Sequence, residues 1–377
     1  MKFLHTSDLH IGLRLCEVSL NDVIEDALAG IAGIAEGERV DAVIVAGDLY
    51  DRSNPSPDAV AILDRFVTRL AAAGIRVLAV SGNHDSPERV AFLSSLLSPM
   101  GVCFSPVYAG TVEPVIFCDA YGEVRFWLLP FFRPAEYRAA VPEFEGEGYH
   151  ETLRAAIERL GIEAGGRNVL VAHQFVSDGQ AGEEAGGIGA VGAELFAPFT
   201  YTALGHLHRA HAVGSEAVRY SGSPVKCSFA EAGDEKSVTL VELDAAGVKE
   251  IRAIPLTPLR DLRDLRGSFE ELLSPEVRAS GSTDDYLRVI LTDEEDVVDA
   301  LVRLRAVYPN LLRLAYDNTR TRALVSEEIE NPDTDAPPSP EEVFARLYER
   351  QNNAPPDGET MEAVSRIFAR LREGGAL

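Results

Sequence analysis

Five short motifs repeat one arrangement along this chain: an apolar run ending in residues that can bind a metal ion. They are Asp8-Leu9-His10, Gly47-Asp48, Gly82-Asn83-His84-Asp85, Ala172-His173 and Gly205-His206-Leu207-His208. The chain has 8 histidines, and five of them (His10, His84, His173, His206 and His208) lie in these motifs. Short apolar runs bounded by turn residues read as buried strands. Ligands at the C-terminal ends of such strands gather on one edge of a sheet, where α/β folds place their sites. Packing alone gives no reason for this distribution of histidine. A bound pair of divalent metals does.

Residues 1–255 read as one α/β unit. Strands are expected at 3–6, 42–45, 75–80, 124–129, 169–172, 201–204, 218–221 and 238–243. Helices are expected at 21–36, with spaced apolar positions at Val23, Ile24, Ala27, Leu28, Ile31 and Ile34, and at 57–73, with Val60, Leu63, Phe66, Val67 and Leu70 on one face. The Gly- and Ala-rich segment 178–193 reads as a loop near the site. Residues 256–325 read as a small α+β unit. It has a strand at 286–291, a capping box Thr292-Asp293-Glu294-Glu295 opening a helix with Val297, Leu301, Leu304 and Val307, and a strand at 311–315. An acidic, Pro-rich linker spans 326–338. Two amphipathic helices follow within 339–377. The first begins Ser339-Pro340-Glu341-Glu342 and carries Val343, Phe344, Leu347 and Tyr348; the second carries Val364, Ile367, Phe368 and Leu371.

The formal net charge of −25 argues against a chain that wraps bare nucleic acid alone, since phosphate binding needs clustered Lys and Arg. A nuclease holding one phosphodiester between metals remains open, with a partner supplying much of the DNA grip. No apolar run approaches the roughly 20 residues that span a bilayer. The first motif follows the N-terminal methionine so closely that a signal peptide is not expected, and a cytosolic location is. Cys16, Cys103, Cys118 and Cys227 are widely spaced without a CxxC pair, which points to free thiols.

Two divalent ions roughly 3.5–4 Å apart can hold the attacking and leaving oxygens of a phosphoryl displacement and lower the pKa of water. Such a pair needs one shared carboxylate. Asp48, after Gly47 at a strand end, is the natural bridge. Asp8 and His10 alternate about Leu9, and His206 and His208 alternate about Leu207, so each pair can face one way. Asn83 offers a carbonyl oxygen and His173 an imidazole. Oxygen and nitrogen donors without thiolate suit manganese, iron or zinc in a catalytic role. His84 is placed to reach substrate, as a proton donor or as support for a charged transition state. Asp85 has two readings, orienting His84 or closing a turn. Asp51 likewise reads as a helper near the site or as a loop cap. His5 reads as a packed or capping residue, His150 as surface, and His211 as outside the ligand set.

Taken in order, the five motifs resemble the signature of calcineurin-like metallophosphoesterases. More narrowly, four stretches resemble the SbcD family, the nuclease subunits of bacterial SbcCD complexes. They are Lys2-Phe3-Leu4-His5-Thr6-Ser7-Asp8-Leu9-His10, Gly47-Asp48-Leu49-Tyr50-Asp51, Ala203-Leu204-Gly205-His206-Leu207-His208-Arg209-Ala210 and Tyr220-Ser221-Gly222-Ser223-Pro224. The resemblance spans roughly residues 1–325.

It implies a four-layer α/β fold of two mixed sheets flanked by helices, with a nuclease domain at 1–255 and a DNA-capping domain at 256–325. It implies one ion on Asp8, His10, Asp48 and His208, a second on Asp48, Asn83, His173 and His206, and His84 as the catalytic histidine. Manganese is the implied metal. Exonucleolytic and endonucleolytic cleavage of DNA in repair, recombination and replication is the implied activity. The implied assembly is a homodimer within a heterotetramer, at the nucleoid, with the C-terminal helices docked on an SbcC-like coiled-coil ATPase. Two alternatives stand beside it: a phosphoesterase for cyclic nucleotides or phosphoproteins, and a non-catalytic assembly subunit.

Overall fold

The computed structural model describes residues 1–163, 165–177, 184–185, 187–319, 321–322, 339–352 and 355–373. In chain order the principal strands are β1 (Lys2–Thr6), β2 (Ala42–Ala46), β3 (Arg76–Val80), β4 (Val102–Phe104), β5 (Val115–Asp119), β6 (Gly122–Leu128), β7 (Arg167–His173), β8 (Tyr201–Gly205), β9 (His211–Val213), β10 (Ser215–Tyr220), β11 (Ser237–Asp244) and β12 (Gly247–Pro255). They form two six-stranded sheets, ordered β12-β11-β1-β2-β3-β4 and β9-β10-β8-β7-β6-β5. The central pairs β1–β2, β2–β3, β6–β7 and β7–β8 are parallel. The pairs β11–β12 and β5–β6 are antiparallel, so both sheets are mixed.

The strand sequences dictate the layering. Every residue of β2 and β7 is buried, which requires cover on both faces. Between the sheets lie Phe3, Ile44, Leu78, Phe126, Val169, Val171 and Tyr201. The Phe3 ring meets Phe126 at 5.8 Å and Tyr201 at 5.7 Å, edge-on in both cases. The alternate residues Leu4, Val43, Val45 and Val77 face outward against helices α1 (Asn21–Glu38) and α2 (Pro57–Ala72), meeting Ile24, Ile31, Phe66 and Leu70. On the far side, Leu170, Ala172 and Leu204 meet Tyr137 of α3 (Pro134–Ala140) and Leu153 and Ile157 of α4 (Gly148–Arg159). The result is the four-layer helix–sheet–sheet–helix order expected from the resemblance.

The start of α2 follows from its cap: Ser56 accepts a hydrogen bond from Ala59 N, and Pro57 opens the helix. Strands β4, β5, β9 and β12 and helix α3 have no counterpart among the sequence expectations. All four strands lie at sheet edges. β5 and β12 show the incomplete burial of edge positions.

A third sheet orders β13 (Leu262–Gly267), β14 (Tyr286–Leu291) and β15 (Leu311–Tyr316), with β13 and β14 parallel. The helix expected directly after Thr292 begins later, as α5 (Ala300–Arg305). Residues 293 and 294 are instead tied to residues 318 and 319. The Glu294 carboxylate accepts from Thr319 N and Oγ1, and Asp293 O accepts from Asn318 Nδ2.

By compactness the chain divides into residues 1–292 with 297–315, and 293–296 with 316–377. The second unit holds α6 (Pro340–Asn352) and α7 (Gly358–Glu373). Ser339 and Glu342 cap α6 reciprocally, Glu342 N to Ser339 Oγ at 3.2 Å and Ser339 N to Glu342 Oε2 at 2.8 Å. Val364 is buried, while Val343, Leu347 and Ile367 are exposed. The expected linker at 326–338 lies outside the described residues. Among the described residues, no helix is long and apolar enough to cross a membrane.

The layer between the sheets has a testable cost. Phe126 is fully buried there. Phe126→Ala should lower unfolding free energy by about 3–5 kcal/mol, measured by denaturant titration. A loss below about 1 kcal/mol would mean that this layer does not carry the fold.

Candidate active site

The motif residues sit where the strands end. Asp8 follows β1, Asp48 follows β2, Asn83 follows β3, His173 closes β7 and His206 follows β8. Past the strand ends the backbones of the first two motifs stay paired: Asp8 N donates to Gly47 O at 3.0 Å and His10 N to Asp48 O at 3.0 Å. Turning the chain this sharply puts non-glycine residues in the left-handed region, with φ of 54° at Asp8, 45° at His10, 52° at Asp48 and 108° at His206. Such backbone costs about 1–3 kcal/mol per residue and persists only where the surroundings enforce it.

Glycines make room for the ligands. A Cβ on Gly205 would lie 1.8 Å from Ala46 O and 2.7 Å from His173 Nδ1. One on Gly82 would lie 2.2 Å from Asp48 Oδ1.

Seven side chains from both sheets meet in this space. Asn83 Oδ1 lies 3.0 Å from His173 Nε2 and 3.3 Å from His206 Nδ1. Asp48 Oδ2 lies 3.4 Å from His173 Nε2 and 3.7 Å from His10 Nε2, between the two halves of the cluster. In the other half, His10 Nε2 faces His208 Nε2 at 3.1 Å. Asp8, His10 and His208 form one group of facing ligand atoms, and Asp8, Asp48 and His173 another, with the atoms of each group within 4.8 Å of one another. All seven residues named from the sequence as metal ligands are thus brought together. His84 lies at the rim, its ring 4.9 Å from that of His10.

Three of the histidines are aimed from their other nitrogen by main-chain carbonyls. His173 Nδ1 meets Ala46 O at 2.9 Å, His206 Nε2 meets Ala185 O at 3.1 Å, and His84 Nδ1 meets Asp51 O at 2.9 Å. Asp51 therefore orients His84 through its main chain. Asp85 does not perform that task. Its buried carboxylate accepts from Leu49 N, Tyr50 N and Gly82 N, which ties the second and third motif loops together.

His208 Nδ1 meets Glu231 Oε1 at 3.1 Å, and Lys236 Nζ donates to Glu231 Oε2 at 2.7 Å. Neither Glu231 nor Lys236 stands out in the sequence, because nothing in their spacing links them to the motifs. Ala185, in the Gly-rich segment, reaches the site by its carbonyl alone, which no side-chain pattern announces.

The remaining histidines behave structurally. His5 is buried between Tyr201 OH and Leu204 O, and burial drives its pKa down to about 3. His150 Nδ1 accepts from Gly192 N, and His211 stacks on Tyr220. All four cysteines are free.

The donor set fits divalent cations. Asp8, His10, Asp48 and His173 are buried, and His10 Nδ1 has no hydrogen-bond partner among the described residues. Burial opposes charge on His173, but Asp48 and Asp8 outweigh it and lift its pKa to about 9. Burial also opposes charge on Asp48, yet the facing imidazoles of His173 and His10 hold its carboxyl well below the usual range. Facing imidazole nitrogens around buried carboxylates leave a cluster that a cation completes.

Comparison with known proteins agrees with this geometry. The family model for calcineurin-like phosphoesterases matches residues 1–209, more than half of the chain. The chain belongs to that family. Calcineurin-like phosphoesterases are hydrolases built around divalent metals, and the candidate ligand groups found here suit that chemistry. A second family model, described as the type 5 capsule protein repressor C-terminal domain, matches residues 258–352. The chain is 27% identical over 323 residues to the SbcD nuclease of the SbcCD complex from Staphylococcus epidermidis, covering 84% of this chain and 85% of the relative. Among solved structures it resembles a dimetal phosphatase from Danio rerio at 15% identity and TM-score 0.43, over 68% of this chain and 99% of that one. It also resembles a Thermus thermophilus protein at 16% identity and TM-score 0.40, with the same coverage.

The close approach of the glycines gives a test of the calcineurin-like site. Gly205→Ala should displace His173 and Ala46, lowering the melting temperature and abolishing retention of metal through gel filtration. Gly30→Ala, on an open face of α1, should leave both unchanged. Metal retention in a folded Gly205→Ala chain would contradict the role given to this contact.

Proposed function

We propose that this chain is the nuclease subunit of an SbcCD-like complex, cleaving DNA phosphodiesters with two manganese ions. The observation that carries the reading is the order of the two family matches, phosphoesterase at 1–209 and the second domain at 258–352, with one SbcD nuclease aligned across both. On this reading residues 1–255 are the nuclease domain, 256–325 cap the DNA, 326–338 link, and 339–377 dock on a coiled-coil ATPase. The exposed Val343, Leu347 and Ile367 support the docking role.

Asp8, His10, Asp48 and His208 hold one ion, and Asp48, Asn83, His173 and His206 hold the other. When bound, the pair supplies Lewis acidity and a nucleophile drawn from water at neutral pH. The protein contributes orientation and protons. Asp48 is shared, which keeps the two halves in register. His84, with Nδ1 engaged by Asp51 O, has Nε2 left to hydrogen-bond a phosphoryl oxygen or pass a proton to the leaving oxygen.

A homodimer is supported by an apolar face near α2, where Val60, Phe92, Leu96 and Met100 are exposed. Exonucleolytic and endonucleolytic action, repair and recombination roles, and a cytoplasmic, nucleoid-associated location belong to the same proposal.

The test uses purified chain, manganese and linear duplex DNA. Degradation is expected, and His84→Ala should slow it by about 10²–10⁴-fold while both metals are retained. Undiminished cleavage by His84→Ala would remove His84 from the chemistry. Hydrolysis of small phosphodiesters with no action on DNA would redirect the proposal to a smaller substrate.

A further inference from the structure

Glu231 stands outside the five motifs, on the short turn Phe229–Glu231. We infer that Glu231, clamped by Lys236, is the positioning residue for His208 and sets how tightly the Asp8–His10–His208 side of the centre holds its ion. The inference rests on the dinuclear reading above.

The contacts converge on His208. Glu231 Oε1 accepts from His208 Nδ1 at 3.1 Å and from Ser228 Oγ at 3.2 Å. Oε2 accepts from Lys236 Nζ at 2.7 Å and from Cys227 N at 3.2 Å. Lys236 Nζ also donates to His208 O at 2.8 Å and to Ser223 Oγ at 3.0 Å. Ser223 N donates to His208 O at 3.1 Å. Residues 222–236 thus grip both the ring and the main chain of His208. Gly222, at φ +74°, allows the approach, since a Cβ there would lie 2.6 Å from His208 O. The same segment is anchored on its far side: Lys226 Nζ lies 2.8 Å from Asp261 Oδ1, and the Arg288 guanidinium sits over the Phe229 ring at 5.2 Å.

This arrangement differs from those of the other oriented histidines. His173, His206 and His84 are held by main-chain carbonyls, whereas His208 is held by a carboxylate. A carboxylate partner fixes the tautomer so that Nε2 carries the lone pair, and it makes the ring a stronger donor. Glu231 meets His208 at Nδ1, while Nε2 of that ring faces His10. Its effect passes through His208.

The test titrates manganese alone into the full chain, by calorimetry and by electron paramagnetic resonance of free ion. Wild type should bind two ions. Glu231→Ala should weaken one of them by about 10–100-fold and leave the other unchanged. Glu231→Gln, which keeps an acceptor oxygen, should fall between. Excess manganese should restore cleavage to the Glu231 variants but not to His84→Ala. Two ions bound at wild-type affinity by Glu231→Ala would overturn the inference. If circular dichroism shows that Glu231→Ala does not fold, Glu231→Gln decides in the same way. A wild-type chain that fails to bind two ions overturns the dinuclear reading, and the Glu231 role falls with it.

Discussion

The site depends on the approach of two sheets at their C-terminal strand ends. His173 leaves the end of β7 and meets the carbonyl of Ala46 at the end of β2, 2.9 Å away. That one bond crosses from sheet to sheet, and it aims Nε2 at Asp48 and Asn83. Any side chain at Gly205 would prevent it. His5 makes a second crossing one layer deeper, to Tyr201 and Leu204. The apolar layer around Phe3 and Phe126 holds the sheets together, and these polar ties fix where their edges meet.

Bringing acids and imidazoles into such a space opposes folding. Left-handed backbone at four ligand positions adds to that cost. What sustains the arrangement is the large core on either side of each sheet, together with a ring of orienting contacts. Those contacts are mostly main chain. Carbonyls of Ala46, Asp51 and Ala185 aim three histidines, and Asp85 gathers three amide N–H groups. Rigid strand ends supply the precision that loops alone lack.

This division explains what can be read from the residues alone. The central strands are legible because both faces are buried, which gives continuous apolar runs such as Ala42-Val43-Ile44-Val45. The ligands are legible because a strand ending in a histidine or aspartate is chemically conspicuous. Edge strand β12 is not, since Lys249, Glu250 and Arg252 on its half-covered faces break up any such run. The helix expected at Thr292 does not form there; Asp293 and Glu294 are tied to Asn318 and Thr319, contacts no local pattern encodes. Asp51 and Asp85 illustrate the same limit. Their roles depend on which loop lies opposite, and a carbonyl's aim cannot be read from its side chain. Glu231 and Lys236 are silent for that reason too.

The proposed chemistry turns on Asp48 standing between two cation positions. The most direct measurement is anomalous diffraction from a crystal soaked in manganese. The expected map has two peaks roughly 3.5–4 Å apart, one on each side of the Asp48 carboxylate. One should lie among Asp8, His10 and His208, and the other among Asn83, His173 and His206. A single peak, or two that do not share Asp48, would contradict the dinuclear centre.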